Sequence, residues 1–134
     1  MTTKSLRLIQ VADLHLGAGC EHHLDNWRKV VAWAQHERPD RVIVNGDLVM
    51  DDPDCEADHA FARAEVDRIG IPCRFLPGNH DIGDNVISGK MAQRVNAERV
   101  ARFRRFYGED RWAFHAADWC VVGLLAGGGS LEMV

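Results

Sequence analysis

Phe75-Leu76-Pro77-Gly78-Asn79-His80-Asp81 is an apolar run that stops at a Pro-Gly break and delivers a carboxamide, an imidazole and a carboxylate in consecutive positions. Pro and Gly form turns readily, but a solvent turn has no need of that trio. Two earlier stretches repeat the plan. Leu8-Ile9-Gln10-Val11-Ala12 runs into Asp13-Leu14-His15, and Arg41-Val42-Ile43-Val44-Asn45 runs into Gly46-Asp47. Three apolar runs each end in oxygen or nitrogen donors.

Working outward from these runs, residues 5–12 predict a first strand covered on both faces, followed by a loop over 13–24. Asp25 is a candidate cap for a helix whose apolar positions Trp27, Val30, Val31 and Ala34 follow helical spacing, ending by Arg38 because Pro39 disfavours helical backbone before it. Residues 41–45 are a second strand, and Asp54, closing the acidic loop 46–54, is a candidate cap for a helix through Phe61, Ala62, Val66 and Ile69. Gly70 is its expected C′ stop, and 71–76 is a third strand.

Beyond Asp81 a long loop runs as far as Gln93, marked by Gly83, Asp84 and Gly89. Asn96 then caps a helix with Val100, Phe103 and Tyr107 on one side and Gly108 at its end. Its Arg99, Arg102, Arg104 and Arg105 read as a solvated basic face in preference to an anion site. Residues 112–116 and 119–125 form an antiparallel hairpin turning near Asp118, and the Gly-rich stretch 127–130 is linker-like. The expected division is one domain over 1–126 with an irregular tail over 127–134.

Strands alternating with helices give an α/β fold with a parallel sheet, whose strand C-termini share one rim where ligands bind. Asp13, Asp47 and Asn79 should therefore converge there. Asp13 and His15, two apart in extended backbone, should project to the same side. Carboxylates, imidazole and a carboxamide oxygen suit two divalent ions of the Mn, Fe, Zn or Co type. Asp47 is the natural bridge between them. His80, beside ligand Asn79, is placed to donate a proton or hydrogen bond to a phosphate or leaving oxygen, and Asp81 to orient His80.

With 134 residues, 46% hydrophobic and 27% charged, the chain is one globular domain, and a net charge of −4 supplies no basic face for a nucleic-acid backbone. Cys20, Cys55, Cys73 and Cys120 are widely spaced and read as reduced thiols of a cytoplasmic protein. No secretory leader is expected, and no apolar run approaches membrane-spanning length.

The set Asp13-Leu14-His15, Gly46-Asp47 and Gly78-Asn79-His80-Asp81 resembles the calcineurin-like metallophosphoesterase superfamily. Gly46-Asp47-Leu48-Val49 and Gly78-Asn79-His80-Asp81-Ile82-Gly83 look most like its bacterial class III cyclic-nucleotide phosphodiesterase branch. The resemblance implies the N-terminal half of an αββα sandwich: a parallel βαβαβ sheet, a helix and a hairpin. It implies residues matching Asp13 and His15 on a first metal, Asp47 bridging, Asn79 on a second, and His80 assisting the departing oxygen. The expected activity is metal-dependent hydrolysis of a cyclic nucleotide or similar small phosphodiester, with nucleic acid and membranes not expected as partners. Two alternatives are a silent metal- or phosphate-binding module and a DNA exonuclease of the same superfamily.

The chain departs from the family in lacking a Gly-His-x-His block, and Leu124-Leu125 follows Gly123 where relatives place Asn or Asp. A truncated, frameshifted or split protein is therefore expected, with the second cation site weak or empty and activity impaired. Among the remaining histidines, His22, His23, His36, His59 and His115, the first two lie nearest the rim as replacement ligands. The hairpin over 112–125 should leave an apolar face uncovered, open to self-association or a partner chain.

Overall fold

The structure, a computed structural model, describes residues 5–84 and 93–125. The elements run β1 (Leu8–Val11), α1 (Glu21–Glu37), β2 (Arg41–Asn45), α2 (Glu56–Asp67), β3 (Cys73–Leu76), α3 (Asn79–Ile82), α4 (Ala97–Tyr107), β4 (Trp112–Ala116) and β5 (Trp119–Gly123). The parallel sheet has the order β1-β2-β3, and β4 pairs with β5 as an antiparallel hairpin. This is the α/β arrangement the alternation predicts.

Register fixes the two faces of the sheet. Ile9, Val11, Val42, Val44, Cys73 and Phe75 share one face. They meet the core of Trp27, Val31, Ala34, Ala62, Val66, Ile69, Phe103 and Tyr107. Helices α1 and α2 are tied by the Trp27 indole N–H, which donates to the Glu65 carbonyl at 3.1 Å. The other face carries Gln10, Asn45 and Arg74, all exposed. The hairpin approaches the sheet through Trp112, whose indole N–H donates to the Phe75 carbonyl at 2.7 Å, and through Phe114, 4.2 Å under the Arg41 guanidinium.

Several sequence expectations need correction. β1 is not covered on both faces: it is an edge strand, with Gln10 exposed and its apolar residues only half-buried. Helix α1 begins at Glu21, so Asp25 lies within it and caps nothing; the N-cap is Cys20. Cys55 is the N-cap of α2. Asp54 instead receives Arg99 at 2.6 Å and Arg102 at 2.8 Å. Those two arginines are accordingly buried, at 9% and 7% exposure, and not a solvated face. The donor-bearing stretch after β3 includes the short helix α3, and of the long loop expected beyond it, 85–92 with Gly89 lies outside the described residues.

Other expectations hold. Arg38 ends α1 in left-handed conformation before Pro39, and the Asn96 side chain accepts from the Arg99 N–H to cap α4. Trp119, Val122 and Leu124 are 73%, 54% and 66% exposed, Trp119 and Val122 on opposite faces of β5. The Gly-rich stretch 127–130 lies outside the described residues.

Candidate metal centre

The rim is built by two chain segments that keep pairing after their strands end. Asp13 N–H donates to the Gly46 carbonyl at 3.1 Å, His15 N–H to the Asp47 carbonyl at 3.0 Å and Leu16 N–H to the Leu48 carbonyl at 2.7 Å. The pairing is possible because the backbone turns left-handed at Asp13 (φ 57°), His15 (φ 47°), Gly46 (φ 86°) and Asp47 (φ 54°). Extended backbone is thus not what brings Asp13 and His15 together. Left-handed conformation costs an ordinary residue about 1–2 kcal/mol, and such outliers cluster where a site demands them. Here they fall on three of the four expected ligands.

The third segment is held by glycines. A β-carbon on Gly46 would stand 2.9 Å from Gly78 Cα, and one on Gly78 would stand 2.1 Å from Asp47 Oδ1. Only bare backbone lets the ends of β2 and β3 meet so closely. His80 N–H then donates to Asp47 Oδ1 at 3.0 Å, so the central carboxylate sits against the first turn of α3. Asn79 opens that turn as an exposed residue.

Donor atoms of His15, Asp47 and His80 all lie within 4.8 Å of one another. The His15 and His80 rings are 4.7 Å apart at 80°. His15 Nε2 faces Asp13 Oδ1 at 3.6 Å, while its Nδ1 is buried with no hydrogen-bond partner among the described residues. Asp13 is 69% exposed at its side chain and His15 18%. A half-buried imidazole with an unpartnered nitrogen, beside two carboxylates and a second imidazole, fits a borderline divalent cation.

Two features were not anticipated from sequence. The His80 Nδ1–H donates to the Met50 carbonyl, which in the neutral ring puts the lone pair on Nε2. Asp81 does not contact that ring. Fully buried, it accepts from Leu48 N–H (2.8 Å) and Val49 N–H (3.1 Å) on one oxygen and from Gly78 N–H (2.8 Å) on the other. Its hydrogen bonds tie the segment after β2 to the start of α3. Burial pushes the Asp81 carboxyl up to about 7, opposed by these same N–H donors. With both oxygens engaged as acceptors, the geometry is that of the carboxylate.

The sequence matches the calcineurin-like phosphoesterase family over residues 6–130. The chain belongs to that family. Relatives of this calcineurin-like phosphoesterase include the 3′,5′-cyclic adenosine monophosphate phosphodiesterases CpdA of Escherichia coli strains K12 and O157:H7, each 30% identical over 128 residues. The alignment covers 89% of this chain and 44% of each relative, so the chain spans less than half their length. Among the described residues, no helix is long and apolar enough to cross a membrane.

Proposed function

We propose that this chain carries the metal-binding half of a phosphodiesterase site, with Asp13 and His15 on one cation, Asp47 shared and Asn79 on a second. The observation that carries the reading is that His15 and Asp47 bring donor atoms within 4.8 Å of each other, with the Asp13 carboxylate 3.6 Å from the His15 ring and outside that tighter group, on a rim built from strained and glycine-dependent backbone. When bound, divalent cations supply Lewis-acid polarisation of a phosphoryl oxygen and water activation at neutral pH. Two cations suit the shared carboxylate. The CpdA likeness supports a small phosphodiester, such as a cyclic nucleotide, as substrate.

The protein's own part is positioning and proton supply. The Met50 carbonyl fixes the His80 ring so that Nε2, when protonated, can donate to the departing oxygen. Asp81 holds the His80 main chain in place by binding three backbone N–H groups. Four free cysteines support a reducing, cytoplasmic setting. The test is hydrolysis of a chromogenic phosphodiester with Mn²⁺ by wild type and Asp47→Asn. Loss of turnover in the variant is expected; equal rates in both dispose of the proposal, and metal binding without turnover would leave a silent binding module.

A further inference from the structure

The loop joining β2 to α2 touches His80 near its start and is clamped near its end. Met50 turns its carbonyl to the His80 ring. Three residues on, the Pro53 carbonyl accepts from His59 Nε2–H on α2 at 2.9 Å and from Arg102 Nη1 on α4 at 3.2 Å. Asp54 accepts from Arg99 Nε at 3.0 Å on one oxygen and from Arg99 Nη2 at 2.6 Å on the other, with Arg102 Nη1 adding a bond at 2.8 Å. A carbonyl can only accept, so His59 Nε2 carries a proton, and Nδ1 of the neutral ring faces the Tyr107 hydroxyl at 3.1 Å. Helices α2 and α4 thus close on one main-chain carbonyl.

Only Asp51 and Asp52 separate Met50 from this clamp. Asp52 closes that stretch into a turn, its Oδ1 accepting from the Asp54 N–H at 2.8 Å and its carbonyl from the Cys55 N–H at 3.2 Å. A buried guanidinium is costly unless paired, and Arg99 and Arg102, at 9% and 7% exposure, both find their nearest carboxylate on Asp54. We propose that these two arginines are positioning residues for His80: through Pro53 and Asp54 they fix the Met50 carbonyl, and that carbonyl fixes the tautomer and direction of the ring. The inference rests on the role given to His80 above. A shift of about 1 Å at Met50 takes the bond out of hydrogen-bonding range, and misplacement of a reacting group on that scale lowers rate by up to about 10²-fold. Side chains one step removed from the chemistry commonly set its geometry in this way.

The same helix supplies its own control. Arg104 is held by Asp110 at 3.0 and 2.9 Å and makes no hydrogen bond to this loop among the described residues. The experiment records imidazole ¹H–¹⁵N correlation spectra of the metal-free full chain at about pH 8.5, where ordinary imidazoles are neutral, for wild type, Arg102→Met, Arg99→Lys and Arg104→Met. The His80 signals are assigned by their loss in His80→Gln, and urea curves check folding. Arg99→Lys keeps the charge and gives up the two-oxygen grip, so it carries the comparison if Arg102→Met unfolds. Wild type should show His80 as the Nδ1–H tautomer with that proton shielded from exchange. Arg102→Met and Arg99→Lys should lose the shielded proton and move the ring nitrogens toward a mixture of tautomers, while Arg104→Met keeps the wild-type pattern. In Mn²⁺ with a chromogenic phosphodiester, kcat of the first two should fall at least about tenfold, with KM within twofold of wild type. A wild-type His80 pattern in Arg102→Met and Arg99→Lys, or the same change in Arg104→Met, overturns the positioning role. The ring spectra need neither metal nor turnover, so equal kcat in wild type and His80→Ala overturns the reading of His80 and not the clamp.

Discussion

Gly78 and Asp47 lie so close that a β-carbon at position 78 would stand 2.1 Å from Asp47 Oδ1 and 2.5 Å from its main-chain nitrogen. The carboxylate at the middle of the rim is aimed by a missing side chain. Gly78→Ala must therefore push Asp47 aside or part the ends of β2 and β3. Overpacking of this kind costs about 1–3 kcal/mol. A urea denaturation curve should register that loss, and Mn²⁺ titration should show weakened binding by a protein that still folds.

Asp81→Asn tests the staple beneath the site. Asparagine offers one oxygen and an NH₂ group where three N–H donors converge on two oxygens. At least one buried donor is left facing another donor, a penalty of about 1–3 kcal/mol. Chemical denaturation of the metal-free protein should show the loss, because it belongs to the backbone and not to a bound ion.

His80 separates proton supply from cation holding. If its Nε2 serves the departing oxygen, His80→Ala should lower kcat by about 10²–10⁴-fold, with Mn²⁺ affinity within twofold of wild type. Steady-state kinetics with parallel metal titrations give both readouts. A comparable fall in metal affinity would make His80 a ligand instead.

Acid should loosen α4 from the loop before α2. The Arg99 guanidinium, followed by Arg102, holds the Asp54 carboxyl down at about 2 from an ordinary 3.8. A carboxyl depressed by folding stabilises the native state above its unfolded value, and that contribution drains as pH falls from about 4 through 2. Burial likewise lowers His59 from its ordinary 6.5, so its neutral form favours folding above that value and the benefit declines as pH drops below it. Urea midpoints measured from pH 7 downward should fall in wild type. In Asp54→Asn the midpoint should be lower at pH 7 and the slope below pH 4 shallower.

The fold was legible where local pattern and tertiary environment agree. β2, the central strand, reads continuously apolar, and its observed limits are those expected, Arg41–Asn45. The strands at either side begin later than predicted, at Leu8 and Cys73, because apolar residues continue beyond the paired region. Helix caps misled for a different reason. Asp54 carries the chemistry of a cap, but Arg99 and Arg102, 45 and 48 residues away, claim it.

The donor residues stand out in the sequence, and the backbone that arranges them does not. Asp13, His15 and Asp47 announce themselves as donors after apolar runs, yet nothing local reveals that all three adopt positive φ. The Gly46 to Gly78 approach and the Met50 carbonyl behind His80 depend on two loops meeting.

The most direct measurement is the anomalous difference density of a crystal grown with Mn²⁺. A peak should stand between Asp13, His15 and Asp47, about 2.0–2.2 Å from a ligating nitrogen or oxygen of each, as transition-metal bonds require. Mn²⁺ bound elsewhere, with no peak against the Asp47 carboxylate, would contradict the account.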